Sequence, residues 1–288
     1  MRVSVVQHDI AWEDGPATRE RLRPLIAQAV AAGSRLVALT EMYATGFSMA
    51  TDRIAEEPGG PNEAYCVAQA REHGVWLAAS VSQREPGSAF SGAGVPRDSG
   101  AGVPRDSGAG VPRDSGAGVP QGTGRARNVG LLVSPAGQVH RYAKIHPFSY
   151  ADEHKHYEAG DTTLTVDVEG LRVSLLICYD LRFADTFWGL AEETDCYLVV
   201  ANWPEPRREH WRALLAARAI ENQAYVIGAN RVGAAPKGLS YSGDSRIVDP
   251  MGTVLAEASY VETVLTADVD PQRVAQVRRD LPFLADRT

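Results

Sequence analysis

The sequence predicts an α/β fold in which two sheets are covered by helices. Three observations predict it. Strand-like and helix-like patterns alternate near both ends of the chain, hairpin patterns fill the middle, and several short apolar runs stop abruptly at a charged residue. A run of that last kind is the mark of a buried strand whose end opens onto a polar rim, where α/β folds place their chemistry.

The first strand is expected at Arg2 to Gln7. Pro16 to Ala32 follows as an amphipathic helix, with Leu22, Leu25, Ile26, Ala29 and Val30 at helical spacing. Pro24 inside it predicts a kink or a delayed start, and Gly33 is the expected C-cap. Leu36 to Leu39 reads as the second strand, with Glu41 just past its end. Asn62 to Gly74 reads as a helix and Val75 to Ser82 as an alternating strand. Asn128 to Ser134 and Gln138 to Tyr142 form a hairpin around Pro135-Ala-Gly137, with Lys144 directly after it.

A second hairpin pairs Thr163 to Val168 with Leu171 to Cys178 around Glu169-Gly170. Ala184 to Glu193 is a short helix. Cys196 to Ala201 is a buried strand leading into Asn202-Trp-Pro204. Pro206 to Gln223 is the clearest helix, with Trp211, Leu214, Leu215 and Ala219 on one face. Tyr225 to Asn230, Asp244 to Val248, Val254 to Ala258 and Val264 to Val269 continue the strands, with a turn at Pro250-Met-Gly252. Pro271 opens a C-terminal helix.

One stretch breaks this order. Ser-Gly-Ala-Gly-Val-Pro-Arg-Asp begins at Ser91, Ser99 and Ser107, and a fourth copy from Ser115 ends in Gln121-Gly122. Rich in Gly, Ser and Pro, it buries too little apolar surface to offset its ordering entropy, so disorder is expected. The simplest origin is repeat expansion in a surface hairpin loop. Lengthening a loop from about 6 to about 38 residues adds only roughly 1.6 kcal/mol of closure entropy. The expected organisation is therefore one domain over 1–288, interrupted by a low-complexity insert at about 87–124.

The totals limit the function classes. At 288 residues the chain buries a real core, and 44% hydrophobic with 23% charged residues is ordinary for a globular protein. A net charge of −7 without any basic run argues against nucleic-acid binding. Three widely spaced cysteines without a C-x-x-C pair suit a reducing compartment. The N-terminus turns polar at Gln7-His8-Asp9, too early for a signal peptide, and no apolar span reaches membrane length, so a cytoplasmic location and no membrane partner are expected. His154 and His156 have no third His or Cys near them, so neither metal nor cofactor is expected.

The chemistry centres on Arg172-Val-Ser-Leu-Leu-Ile-Cys178-Tyr-Asp-Leu-Arg182-Phe. A free cysteine taken alone is usually a small core hydrophobe. Here Glu41 and Lys144 also stand at or near strand ends. A thiol needs a base, which Glu41 supplies, and an oxyanion needs a positive partner, which Lys144 supplies. Cys196, early in its strand and without a suited charged neighbour, reads as core. Trp203 and Glu205 lie beyond a strand end on the same rim, where Trp203 either lines a pocket or packs.

At these residues the sequence resembles the nitrilase superfamily of carbon–nitrogen hydrolases, most of all its ω-amidase branch. The nucleophile motif Cys-Tyr-Asp-Leu-Arg-Phe stands intact at Cys178 to Phe183, and Lys144-Ile-His-Pro-Phe resembles the lysine motif. Two positions depart from the family pattern: Thr40 stands where a proline precedes the glutamate, and Ala184 where a proline follows Arg-Phe. The resemblance implies a four-layer α-β-β-α sandwich with two mixed sheets, a homodimer or higher homo-oligomer, and amide hydrolysis through a thioester on Cys178. It also implies a second glutamate that holds the lysine. Glu153 matches it, and Glu158 competes.

The implied substrate is a small carboxylate-bearing amide such as 2-oxoglutaramate or 2-oxosuccinamate. Tyr179 would lend its backbone N–H to the oxyanion, Trp203 would line the pocket, and Arg182 would either meet the substrate carboxylate or, the preferred reading, pair with Asp180. Deaminated-glutathione amidase, aliphatic amidase and carbamoyl-amine hydrolase share the Glu-Lys-Cys set. True nitrilases usually carry tryptophan where Tyr179 stands. A non-enzymatic scaffold that works through the repeat is the alternative of a different class.

Overall fold

The computed structural model describes residues 1–84 and 124–287. In chain order the elements are β1 (Arg2–Gln7), α1 (Gly15–Ala31), β2 (Leu36–Ala38), α2 (Thr51–Ile54), α3 (Pro61–His73), β3 (Trp76–Gln83), β4 (Arg127–Val133) and β5 (Val139–Ala143). There follow α4 (Glu153–His156), β6 (Thr165–Val168), β7 (Leu171–Ile177), α5 (Ala184–Leu190), β8 (Cys196–Ala201), α6 (Arg208–Asn222) and β9 (Tyr225–Asn230). The chain ends with β10 (Val232–Ala235), β11 (Leu239–Val248), β12 (Val254–Ser259), β13 (Thr263–Asp268) and α7 (Pro271–Asp280).

The strands form two mixed sheets. One runs β13-β1-β2-β3-β4-β5, and the other runs β10-β11-β9-β8-β7-β6 with β12 added beside β11. The sequence pattern shows why they stack. In β1, Val3 and Val5 face the second sheet while Val6 faces the first sheet's helices; in β2, Leu36 and Ala38 face inward while Val37 and Leu39 face outward. Period-2 strands that are apolar on both faces must be covered on both sides. α1 and α3 cover the first sheet through Leu22, Ile26, Ala29, Cys66 and Ala70. α6 covers the second through Trp211, Leu215 and Ala219. The result is the expected four-layer α-β-β-α sandwich. Gly130 lets the two sheets close up: a Cβ there would stand 2.8 Å from Leu175.

Several local expectations need correction. α1 runs unbroken from Gly15 through Pro24 to Ala31, capped by Asp14, whose Oδ1 accepts from Ala17 N at 3.0 Å. Its cap is Ala32, and Gly33 follows with φ 86°. β10 was not foreseen, and β11 starts at Leu239 rather than at Asp244. Tyr241-Ser-Gly-Asp244 reads as loop because Gly and Asp are poor strand residues. They sit instead at a register shift between Gly243 and Ser245, where Asp244 takes φ 55°.

The repeat insert, expected at about 87–124, lies outside the described residues apart from Gly124. The ladder pairs Gln83 with Arg127, so the chain leaves and re-enters the sheet at one point.

Candidate active site

Four strand ends converge where the two sheets meet. Glu41 follows β2, Lys144 follows β5, Cys178 follows β7 and Asn202 follows β8. Glu41, Lys144 and Glu153 are all buried, with side-chain exposures of 0%, 1% and 0%. Lys144 Nζ lies 2.9 Å from Glu41 Oε1 and 2.9 Å from Glu153 Oε2. The ammonium contacts three carboxylate oxygens in all, the third being Glu153 Oε1 at 3.1 Å.

Asn128 completes this floor. Its Nδ2 donates to Glu41 Oε1 at 2.8 Å and to Glu153 Oε1 at 3.2 Å, while its Oδ1 accepts from Ser80 Oγ at 2.9 Å. The same Ser80 Oγ accepts from Met42 N at 2.8 Å, which fixes the strained turn after Glu41, where Met42 has φ 40°. Asn202 grips Glu41 from the other sheet: its N–H donates to Oε2 at 2.8 Å and its Nδ2 to the Glu41 carbonyl at 2.5 Å. Bonds from both sheets therefore hold the chain around Glu41, where Thr40 precedes it. Thr40 itself is buried, and its hydroxyl has no partner among the described residues.

The electrostatics follow from burial. Burial alone would lower the Lys144 ammonium, but Glu153 and then Glu41 outweigh it and raise it above its ordinary value. Burial raises the Glu153 carboxyl, against the pull of Lys144 and with the push of Glu41. Burial also raises the Cys178 thiol well above its ordinary value; Glu41 adds to this and Lys144 opposes it. The resting cysteine is a neutral thiol that needs a base.

Cys178 sits on a sharp turn. Its φ is 45°, unfavourable for a residue with a Cβ, and a short 3-10 turn over Cys178–Arg182 follows. Asp180 holds that turn. Its Oδ2 accepts from Ile177 N at 3.0 Å and Tyr142 OH at 2.8 Å, and its Oδ1 accepts from His146 N at 3.0 Å and pairs with His146 Nδ1 at 2.8 Å. One buried carboxylate so ties the cysteine turn to residues on both sides of Lys144. His146 also stacks on Phe183 with ring centroids 3.7 Å apart.

This corrects the expectation for Arg182. Asp180 is already saturated, so Arg182 turns away to donate to His210 Nδ1 at 3.1 Å and to lie 4.7 Å from the Trp203 ring. Arg182, Tyr179 and Trp203 all line a cavity of about 170 Å³ that opens over Cys178. Trp203 serves both of its expected uses, since it also packs on Trp211 at 5.5 Å. Glu205 does not line the cavity and instead accepts from Ser240 Oγ at 2.5 Å and Tyr260 OH at 2.9 Å. Glu158 pairs with Arg127 at 3.1 Å, leaving the place beside Lys144 to Glu153. His154 and His156 are exposed on the single turn of α4, not on extended chain. Cys66 and Cys196 are buried, and burial pushes the Cys66 thiol up to about 12.

Asn128, Asn202 and Asp180 are the supporting residues that sequence reasoning passed over. A signal existed for two of them. Asn128 and Asn202 are polar residues at the ends of otherwise apolar strands, where a buried amide needs a specific partner. Arg207, which also lines the cavity, carried no signal in a helix start already rich in arginine.

Comparison with known proteins agrees with this geometry. The chain is 35% identical to Omega-amidase YafV of Escherichia coli (strain K12), over 99% of this chain and 96% of that one. It is 29% identical to 2-oxoglutaramate amidase of Bacillus subtilis (strain 168), again over 99% and 96%. Among solved structures, XC1258 from Xanthomonas campestris, described as a CN-hydrolase superfamily protein, superposes with a TM-score of 0.83 at 31% identity, covering 100% of this chain and 97% of that one. The family model for carbon-nitrogen hydrolases matches residues 2–279, and the chain belongs to that family.

Proposed function

We propose that the protein is an amidase of the ω-amidase type, which hydrolyses a small carboxylate-bearing linear amide to the acid and ammonia. The observation that carries this reading is the sealed Glu41–Lys144–Glu153 floor beside a thiol that burial keeps protonated. Glu41 takes the Cys178 proton as the sulfur attacks the amide carbon. The Lys144 ammonium and the Tyr179 backbone N–H receive the oxyanion. As the tetrahedral intermediate collapses, protonated Glu41 gives its proton to the departing ammonia. Glu41 then deprotonates water, which attacks the thioester. The acid leaves, and the proton returns from Glu41 to sulfur. Glu153 positions Lys144 and keeps it charged.

Arg182 has no protein carboxylate partner among the described residues, so it lends the cavity positive charge that suits a carboxylate-bearing substrate. The size of the cavity, below the roughly 300–1,000 Å³ of drug-sized sites, favours 2-oxoglutaramate or 2-oxosuccinamate over the bulkier deaminated glutathione. We further propose that the protein works as a homodimer or higher homo-oligomer in the cytoplasm. In support, Trp188 and Ile220 stand exposed on α5 and α6, and the three cysteines are free. No helix among the described residues is long and apolar enough to cross a membrane.

The test is ammonia release from 2-oxoglutaramate, glutamine and a simple aliphatic amide, with Cys178→Ala alongside. Release from the oxo-amide, lost in the variant, is expected. Turnover of the aliphatic amide alone would overturn the substrate, and activity surviving in Cys178→Ala would overturn the mechanism.

A further inference from the structure

Among the described residues, the cavity over Cys178 is lined by two guanidinium groups and by no carboxylate. Arg182 is fixed, by His210 on one side and the Trp203 ring on the other. Arg207 is held differently. Its carbonyl accepts from Trp203 Nε1 at 2.8 Å, which anchors its backbone at the cavity wall. Its guanidinium reaches out over the rings of Phe148, at 5.5 Å, and Tyr150, at 6.0 Å, both of which line the same cavity. Tyr150 is 85% exposed, so Arg207 stands at the mouth of the cavity.

The neighbouring arginine shows what is unusual about it. Arg208, one residue on, is taken by Asp244 through two bonds of 2.9 and 2.6 Å. Elsewhere Arg127 pairs with Glu158 and Arg172 with Asp195. Arg207 has no ion pair or side-chain hydrogen bond among the described residues. Arginine is the side chain best shaped to hold a carboxylate in two parallel bonds, and aromatic stacking keeps its plane oriented without using its protons. The −7 net charge of the chain makes a local pair of uncompensated cations the more distinctive.

We propose that Arg207 is a specificity-determining residue, which receives the anionic end of the substrate at the cavity mouth and makes the enzyme select ω-amides with a negatively charged far end over neutral amides of the same length. The inference rests on the amidase reading above. The contact is made equally in the bound substrate and in the transition state, because the charge lies away from the bond being broken. It therefore acts on KM rather than on kcat.

The experiment compares glutaramate with pentanamide for the wild type, Arg207→Met and Arg207→Lys, with thermal midpoints as the check on folding. Arg207→Met is expected to raise KM for glutaramate about 10- to 100-fold with kcat within about threefold, so that the anionic-to-neutral ratio of kcat/KM falls at least tenfold. Arg207→Lys recovers part of the ratio, since it keeps the charge but loses the fork. KM for glutaramate should rise with salt in the wild type and respond less in Arg207→Met. A wild type that prefers glutaramate, with the same ratio in Arg207→Met, overturns the role of Arg207 and leaves the amidase reading standing. A wild type that cleaves pentanamide as well as glutaramate overturns the carboxylate-bearing substrate itself, and the Arg207 role with it.

Discussion

The ionic floor buried beside Cys178 and the mouth of the cavity are built on opposite principles. At the floor, two carboxylates, one ammonium and two asparagine side chains are buried together, and the acidic oxygens meet donors within 2.5–3.2 Å. At the mouth, Arg207 is half-exposed and, among the described residues, its guanidinium lies over ring faces without an ion pair. A buried ionic cluster cannot adapt, because an unpaired member costs too much to tolerate. It suits bond making, which needs the same geometry for every amide. An unpaired surface cation can adapt, and it suits the choice among amides.

The largest expected effect comes from breaking the floor. Lys144→Met leaves Glu41 and Glu153 buried without their shared cation. Removing one partner of a buried pair typically costs about 3–5 kcal/mol. The thermal midpoint should drop, and kcat should fall by about 1,000-fold or more for charged and neutral amides alike. If the variant lost activity on charged amides only, Lys144 would belong with the mouth, and the division between the two regions would fail.

A smaller effect is expected at the seam between them. Asp180 joins the cysteine turn to the lysine segment through four donors. Asp180→Asn keeps the size but replaces one acceptor oxygen with an NH₂ that faces Tyr142 or His146. The strained Cys178 turn should relax by a few tenths of an ångström. We expect kcat to fall about 10- to 100-fold with KM little changed, for both charged and neutral substrates. A loss of thermal stability with kcat intact would mean that Asp180 only holds the fold.

The sequence made these regions unequally legible. The floor was visible because Glu41, Lys144 and Cys178 each stand at or near a strand end, as a cysteine, a glutamate and a lysine that make a chemical set. The two sheets were legible in the alternation of strand and helix patterns near both ends of the chain, with hairpins between. The choice between Glu153 and Glu158 was not, because it depends on a left-handed Asp152 that starts α4 and swings Glu153 inward. Arg182 was misjudged for a related reason. Nearness in sequence suggested Asp180 as its partner, but a 3-10 turn points Asp180 back at Ile177 N and leaves Arg182 facing the cavity. Arg207 was invisible because its proposed role rests on having no charged partner among the described residues, which only their ion pairs reveal.

The smallest effect belongs to neither region and so separates fold from site. His8 is buried just after β1, with Nδ1 3.2 Å from Val6 O and Nε2 3.1 Å from Tyr43 O in the loop after Glu41. Burial lowers its pKa below the ordinary value of 6.5, although the two carbonyls pull the other way. A histidine depressed in the folded state contributes stability that is present above its unfolded pKa and is lost as the pH falls through the folded one. The wild type should therefore lose thermal stability as the pH drops below 6.5, and His8→Gln should flatten that slope while lowering stability slightly at neutral pH. The pH dependence of kcat should stay the same in the variant, because Glu41 and Cys178 keep their surroundings. An acid slope identical in wild type and His8→Gln would show that His8 does not carry the acid loss.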